Sequence, residues 1–495
     1  MRATANIALA LSKRIAIFLL GGLCCAAAIG VALAAYYLES RDDLKPWHEL
    51  RLTQEFTRES PDLDFLDYLS REDRLFEELE SGLKGALAPA DRTAINRYLP
   101  RSLSDPDNWT RNWNRSYILG QENPKAVFVL IHGMSDSPYS LSNLAQRLHD
   151  AGGEVIGLRL PGHGTLPAGL LDVTWQDMAA AVSLAVRHAK ARTRATGAAG
   201  TFLVGYSVGA ALAVHHALDT LKNGGDATDG LVLLSPAIGL PDVAKLAIWQ
   251  ERLSKWLGLR KVAWNSISLE YDPFKYGSFA INAAIQSSLL TDVIRSQLRA
   301  LASSDALGGL PQILAFQSSV DATVTSRSVV EGLFLSLPPS RHELVLYDVN
   351  RLTEAISVLT NDPKPWIDGL LAGENLPFTL SVITNIAPED REAVVVRREA
   401  GKREVARREL GLDWPPSVYS LSHVALPIPA TDSLYGDGIA QNSPGIELGI
   451  LSFRGERGAL KISAEDMLRL RWNPFYSYQE GRILDFVGLT DARTQ

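Results

Sequence analysis

The sequence predicts an α/β fold in which a mostly parallel sheet is covered by helices on both faces. Three observations predict it. Apolar runs of strand length, "AVFVLIHG", "TFLVGYS" and "LVLLSPA" among them, lack the in–out alternation of a strand with one wet face. Helical stretches alternate with these runs along the chain. The stretch "TFLVGYSVGAALAV" changes from strand-like to helix-friendly at Ser207, with Gly205 and Gly209 on either side.

The bulk numbers agree with such a fold. The chain has 495 residues, 46% hydrophobic and 21% charged, an ordinary globular balance that can bury a large core. The formal net charge is −7 and no long basic block occurs, which argues against a nucleic-acid partner. The only cysteines are Cys24 and Cys25, adjacent in an apolar segment, so the rest of the chain can form no disulfide and no cysteine metal site.

Taken in order, residues 1–38 come first. No charge occurs from Ile15 to Leu38, about 24 residues, enough to cross a bilayer. Arg2, Lys13 and Arg14 precede this run, and Glu39, Asp42 and Asp43 follow it. That asymmetry predicts a single-pass anchor with a cytoplasmic N-terminus and an extracytoplasmic (periplasmic) remainder. A signal peptide cleaved near Ala32-Leu33-Ala34 is the alternative, although its apolar core would be longer than usual. Residues 39–114 read as a helical spacer. The apolar positions Leu63, Leu66, Leu69 and Leu75 are expected to mark its packed face, and its charges a solvated one.

The main domain is expected over residues 115–495. "EVIGLRLPGHG", "QILAFQSS" and "HELVLYDV" add strands; "YSLSNLAQRLHDAG", "WQDMAAAVSLAVRHAKAR" and "VGAALAVHHAL" read as helices. Two regions break the rhythm. Residues 239–309 hold Trp249, Trp256, Trp264, Tyr271, Phe274, Tyr276 and Phe279 but no clear strand, and are expected to form a helical cap whose aromatics mostly pack. Residues 351–416 read as a second insertion, with two strands in "FTLSVITN" and "EAVVVRRE" followed by a charged helix in "GKREVARREL".

Chemistry enters at Gly205-Tyr206-Ser207-Val208-Gly209, a G-x-S-x-G pattern with a strand running into it and a helix leaving. A turn this sharp crowds its neighbours, so small flanking residues are required, and the serine oxygen projects above the sheet. The N-terminus of the new helix aims free N–H groups at the same point. A serine needs a base to take its proton. Of nine histidines, most lie on helical or spacer segments, and His342 opens its strand at the wrong edge of a parallel sheet. His132 and His163 fall in loops, where shaping the chain is the expected role. His423, in "VYSLSHVALP" near the end of the chain, is the base candidate. The acid should follow a strand between the two. Asp321 does so in "ILAFQSSVDATV", and Asp348, after the next strand, is the alternative. Two backbone donors should form an oxyanion hole: the N–H of Val208, and one from the loop after "VLIHG", most simply that of Met134.

These pieces, "LIHGMSDSPYSLSNLAQRL", "RLPGHG", "GYSVGAALA", "SSVDATV" and "SLSHVALP", run in order over roughly 60% of the chain. Together they resemble the α/β-hydrolase superfamily, and within it the monoacylglycerol lipase and carboxylesterase branch, also described as serine aminopeptidase-like. The resemblance implies an α/β-hydrolase fold with a cap inserted before Asp321. It implies Ser207 as nucleophile, Asp321 as acid, His423 as base, Met134 and Val208 as oxyanion donors, and no metal or organic cofactor. The chain departs from the pattern in placing Asp321 and His423 about a hundred residues apart. The resulting expectation is a membrane-anchored serine hydrolase acting on a small-molecule acyl ester, hydrophobic or lipid-like. A thioesterase or aminopeptidase with the same triad is the runner-up. The latter would want an acidic residue in the cap, such as Glu270 or Asp272. A non-catalytic, membrane-tethered binding module is the third reading.

Overall fold

A computed structural model describes residues 38–60, 63–239, 259–439, 443–452 and 462–490, with isolated positions before 38 and at 454. Half of the apolar segment from Ile15 to Leu38 lies outside the described residues, as do Trp249 and Trp256. Among the described residues no helix is long and apolar enough to cross a membrane.

The apolar runs become strands in chain order: β1 Tyr117–Leu119, β2 Val127–Ile131, β3 Glu154–Leu158, β4 Thr201–Tyr206 and β5 Gly230–Leu234. A short hairpin, β6 Trp264–Ser266 and β7 Phe279–Ala280, stands apart. The sheet resumes with β8 Gln312–Ser318, β9 Glu343–Tyr347, β10 Thr379–Asn385, β11 Glu392–Arg398 and β12 Val405–Asp413. Its spatial order is β1-β3-β2-β4-β5-β8-β9-β10-β11-β12. All pairings from β3 to β10 are parallel; β1 at one edge and β11 with β12 at the other are antiparallel.

Every residue of β2, β3, β5 and β9 is buried, which explains their unbroken apolar character. Alternate residues feed two cores. Val129, Leu203, Leu231 and Leu344 face the helices Trp175–Thr196, Val208–Asn223 and Ile281–Ser303. Phe128, Val204, Val232 and Val345 face Ser142–Asp150 and Tyr476–Phe486. The helix Trp175–Thr196 starts where the Thr174 side chain accepts the Asp177 N–H and stops at Gly197, φ 73°.

One expectation is corrected here and two are made specific. Residues 351–416, expected as a second insertion, supply β10, β11 and β12, which extend the main sheet. "GKREVARREL" is not a helix. Its second part, from Val405 on, forms the exposed strand β12, where pairing with β11 outweighs helix propensity and the charges of Arg407, Arg408 and Glu409 blunt a sheet edge. The cap region, expected to be mostly helical, contains among its described residues the β6–β7 hairpin ahead of the helix Ile281–Ser303.

The N-terminal segment is built into the domain. On the helix Phe65–Leu83 the buried face is Phe65, Tyr68, Glu72, Leu75 and Phe76, whereas Leu66 is 53% exposed. Glu72, only 4% exposed, departs from the expected solvated face. It accepts from Arg159 Nε (2.9 Å) and from the Ser116 N–H and hydroxyl. Glu55 takes the other side of the same guanidinium, and the Tyr68 hydroxyl donates to the Arg159 carbonyl at 2.6 Å. Arg159 is 1% exposed, so losing Glu72 would cost on the order of 3–5 kcal/mol by leaving a poorly compensated buried charge.

The same segment clasps the cap. Arg41 donates to the carbonyls of Lys261, Trp264 and Asn265. His48 Nδ1 accepts the Lys45 N–H (2.9 Å), so its Nε2 carries the proton donated to Ser278 Oγ (2.9 Å). Burial, reinforced by the Lys45 charge, holds the His48 pKa at about 4. A base depressed in this way binds its proton more readily when unfolded. Its contribution to stability is present above pH 6.5 and is lost as pH falls towards 4, at roughly 1.4 kcal/mol per pH unit. Urea midpoints measured between pH 6.5 and 4.5 should therefore fall more steeply for the wild type than for His48→Gln. Parallel slopes would remove His48 from this role.

Candidate active site

The strand β4 ends at Tyr206 and a helix begins at Val208, so Ser207 carries the whole turn. Its φ is 55° and its ψ is −117°. That conformation costs a non-glycine residue on the order of 1–3 kcal/mol. It is held by hydrogen bonds: the Ser207 N–H donates to Leu234 O at the end of β5, and the Ser207 carbonyl accepts from Ala210, Ala211 and Ala237. Neither flanking glycine has positive φ; each is there for space. A β-carbon on Gly209 would lie 2.1 Å from the Ile131 carbonyl oxygen, and one on Gly205 would lie 2.4 Å from Ala210 Cα. Both obstacles are backbone. A β-carbon on Gly133 would lie 3.0 Å from the Tyr206 ring, so the loop after β2 also needs its glycine to approach the elbow.

Asp321 follows β8, and its carboxylate is enclosed by donors. Oδ1 accepts the N–H groups of Thr323 (2.8 Å) and Val324 (3.0 Å). Oδ2 lies 2.7 Å from His423 Nδ1 and accepts from Gln317 Nε2 at 3.1 Å. Burial pushes the Asp321 pKa up, but the charge and hydrogen bond of His423 and the two backbone donors outweigh it and hold the carboxyl below its usual value. The pairing makes Nδ1 of His423 the donor and leaves Nε2 to face a partner. The alternative acid, Asp348, is engaged by Arg351 Nε (2.7 Å) and the Thr384 hydroxyl.

His423 does not sit at a strand end. It opens a short turn, His423–Ala425, on chain that has left the edge strand β12 and travelled back over the sheet. Asn350, just past β9, fastens that return: its N–H donates to Tyr419 O (2.8 Å) and its side chain to Val418 O (2.9 Å). Asn385, at the end of β10, donates to Asn350 Oδ1 and accepts the Arg351 N–H. Sequence reasoning missed Gln317, Asn350 and Asn385. Nothing marks them in one dimension, because their partners are remote or on the opposite side of a turn.

Ser207, Val208, Met134 and His423 line one cavity of about 420 Å³, with Asp321 behind His423. Among the described residues neither the Met134 nor the Val208 N–H has a hydrogen-bond acceptor. The remaining walls are mainly apolar, including Ala237, Phe279, Ala284 and Val324. His132 shapes the loop as expected: Nδ1 donates to Gly133 O (2.8 Å) and Nε2 accepts the Leu160 N–H (3.0 Å). Burial, with the nearby His163 charge, keeps its pKa well below the usual value. His163 is also buried, with its pKa pushed down to about 4. Trp264, Phe274 and Tyr276 are buried packing residues. Glu270 is buried and accepts the Gly277 and Ser278 N–H groups, whereas Asp272 lines a second, adjoining cavity. No cluster of metal-ligating side chains occurs among the described residues.

The tight elbow yields a direct test. Gly209→Ala should abolish hydrolase activity and lower the urea unfolding free energy by several kcal/mol, on the order of 3. Near-wild-type stability with near-wild-type activity would show that the backbone contact can relax.

Residues 122–348 match the family described as Serine aminopeptidase, S33. The match includes Ser207 and Asp321 and stops short of His423. No curated protein matches the chain. Similar solved structures include one from work on LipS and LipT, two metagenome-derived lipolytic enzymes (20% identity, 47% of this chain and 87% of that one, TM-score 0.36). Another is a soluble variant of Saccharomyces cerevisiae monoglyceride lipase (14% identity, 47% and 82%, TM-score 0.36). A third is a Paleococcus ferrophilus monoacylglycerol lipase (15% identity, 47% and 87%, TM-score 0.34). The chain thus has the α/β-hydrolase fold and is similar over residues 122–348 to the serine aminopeptidase S33 family.

Proposed function

We propose that the protein hydrolyses carboxylic esters of hydrophobic acyl groups through an acyl-enzyme on Ser207. The observation that carries this reading is the 2.7 Å contact between His423 Nδ1 and Asp321, made at the wall of the cavity that also holds Ser207. With Nδ1 donating to Asp321, Nε2 is the free base. It takes the Ser207 proton as the hydroxyl attacks the carbonyl carbon, and Asp321 steadies the imidazolium that forms. The oxyanion receives the N–H groups of Val208 and Met134. His423 then protonates the leaving alcohol, and water activated by the same nitrogen releases the acid.

The apolar walls favour an acyl chain over a peptide. The aminopeptidase reading gains some support from Asp272 in the adjoining cavity. Its oxygens are nevertheless engaged by the Tyr435 hydroxyl and the N–H groups of Phe274 and Lys275, which leaves little for a substrate ammonium. The N-terminal segment supports a tether. The uncharged run from Ile15 to Leu38, basic before and acidic after, would place the catalytic domain outside the cytoplasm. Arg41, just beyond it, is hydrogen-bonded to the cap.

A fluorophosphonate probe should label the wild-type protein and not Ser207→Ala, and p-nitrophenyl esters should turn over in preference to aminoacyl anilides. Turnover of anilides alone would replace the esterase reading with the peptidase one, and absence of any labelling would favour a binding module. Asp321→Asn should still be labelled slowly, with kcat lower by roughly 10³- to 10⁴-fold. Deleting residues 1–38 should move the activity from the membrane pellet to the supernatant. Activity that sediments equally with and without the segment would end the anchor assignment.

A further inference from the structure

The cavity holding Ser207 adjoins a second one of about 360 Å³. Tyr206, Lys275, Val424 and Arg469 belong to the walls of both, so the two form one cleft divided at these side chains. The first chamber is mainly apolar. The second is mixed, with Asp136, Asp272 and Arg471 set in its wall beside Leu269 and Ile428. A cleft divided in this way suits a substrate whose acyl part is apolar and whose leaving group is polar.

The sign of that leaving group follows from which hydrogen-bonding capacity is already used. Of the three acids in the wall of the second chamber, Asp466 lies exposed and accepts the Ser463 hydroxyl on Oδ2, while the two buried ones are occupied. Asp272 accepts the Tyr435 hydroxyl at 2.7 Å and the N–H groups of Phe274 and Lys275 at 3.0 and 3.1 Å. Asp136 accepts the Ser137 N–H on Oδ1 and meets Lys275 Nζ on Oδ2 at 3.5 Å. Burial, moreover, pushes the Asp136 pKa up, which weakens its hold on a cation. Among the described residues the cations have donors to spare. Lys275 carries three N–H bonds and makes that one long contact. Arg469 carries five and reaches Thr323 Oγ1 at 3.4 Å. Arg471 donates to the Asp466 carbonyl at 3.3 Å.

We propose that Lys275 and Arg469, at the junction of the two chambers, form an anion subsite that binds a negatively charged group on the leaving-group side of the ester. The inference rests on the ester-hydrolase reading above and adds the chemical class of the alcohol. An anion placed between the two side chains would take donors that the protein leaves idle, beside the carbonyl that Ser207 attacks. Charge-assisted hydrogen bonds of this kind sharpen selectivity by about tenfold per well-placed cation.

The test compares 4-nitrophenyl butyrate with 3-carboxy-4-nitrophenyl butyrate on the full-length protein. The ratio of kcat/KM for the carboxylated over the plain ester is measured in the wild type, Lys275→Gln, Arg469→Gln and the remote surface variant Arg299→Gln. Comparing one ratio across variants cancels the intrinsic reactivity of the two leaving groups, and turnover of the plain ester reports that each variant is folded. The ratio should fall about tenfold in Lys275→Gln and in Arg469→Gln and hold in Arg299→Gln. A ratio unchanged within about twofold in both cleft variants overturns the subsite. An equal fall in Arg299→Gln overturns it in favour of the overall field of the protein. A wild-type protein that hydrolyses neither ester and takes no fluorophosphonate overturns the ester-hydrolase reading itself, an outcome distinct from plain-ester turnover without charge preference.

Discussion

The site depends on the absence of two β-carbons. At Gly205 and Gly209 the helix that leaves the elbow comes so close to β4 and to the end of β2 that any side chain would meet backbone. This closeness lets the chain reverse within one residue. It places the strain on Ser207 and, among the described residues, leaves the first N–H of the helix, that of Val208, without an acceptor. The strain is sustained by neighbours on both sides: Leu234 of β5 accepts the Ser207 N–H, and Ala237 donates to its carbonyl. The parallel sheet thus carries the elbow, because the register of β4 with β2 and β5 determines what the turn can touch.

The second requirement is delivery of an imidazole from far along the chain. Four strands, β9 to β12, separate Asp321 from His423 in sequence, and none of them contributes a side chain to the cavity. They lengthen the sheet instead, and the chain must return across it. Buried asparagines fasten the return, since Asn350 holds Val418 and Tyr419 while Asn385 holds Asn350. Gln317 acts on the other partner by donating to the same Asp321 oxygen that meets His423. A carboxylate with both oxygens doubly hydrogen-bonded has one orientation, and so does the ring that pairs with it.

The chain preceding the sheet is equally part of the enzyme. Glu55 and Glu72 neutralise Arg159 at the end of β3, and Arg41 and His48 fasten the cap hairpin. Asn265 and Phe279 of that hairpin line the cavity. Whatever holds residues 41–48 therefore also bears on the wall of the active site.

The sequence alone determined the alternation of buried strands and helices, the position of the elbow and the identity of Ser207, because those properties are local. An apolar run, a glycine beside a sharp turn and a helix start are written within a few residues. It also singled out Asp321 and His423 by their order along the chain. Tertiary structure decided the rest. "GKREVARREL" became a strand because β11 offered a partner, which local propensity cannot register. Glu72 entered the core because Arg159, some ninety residues away, was there to meet it. The route of His423, the asparagines that secure it, and the placing of Lys275 and Arg469 in the walls of both chambers all bring together residues distant in sequence. Such contacts leave no periodicity to read, since they exist only once the sheet has brought the segments together.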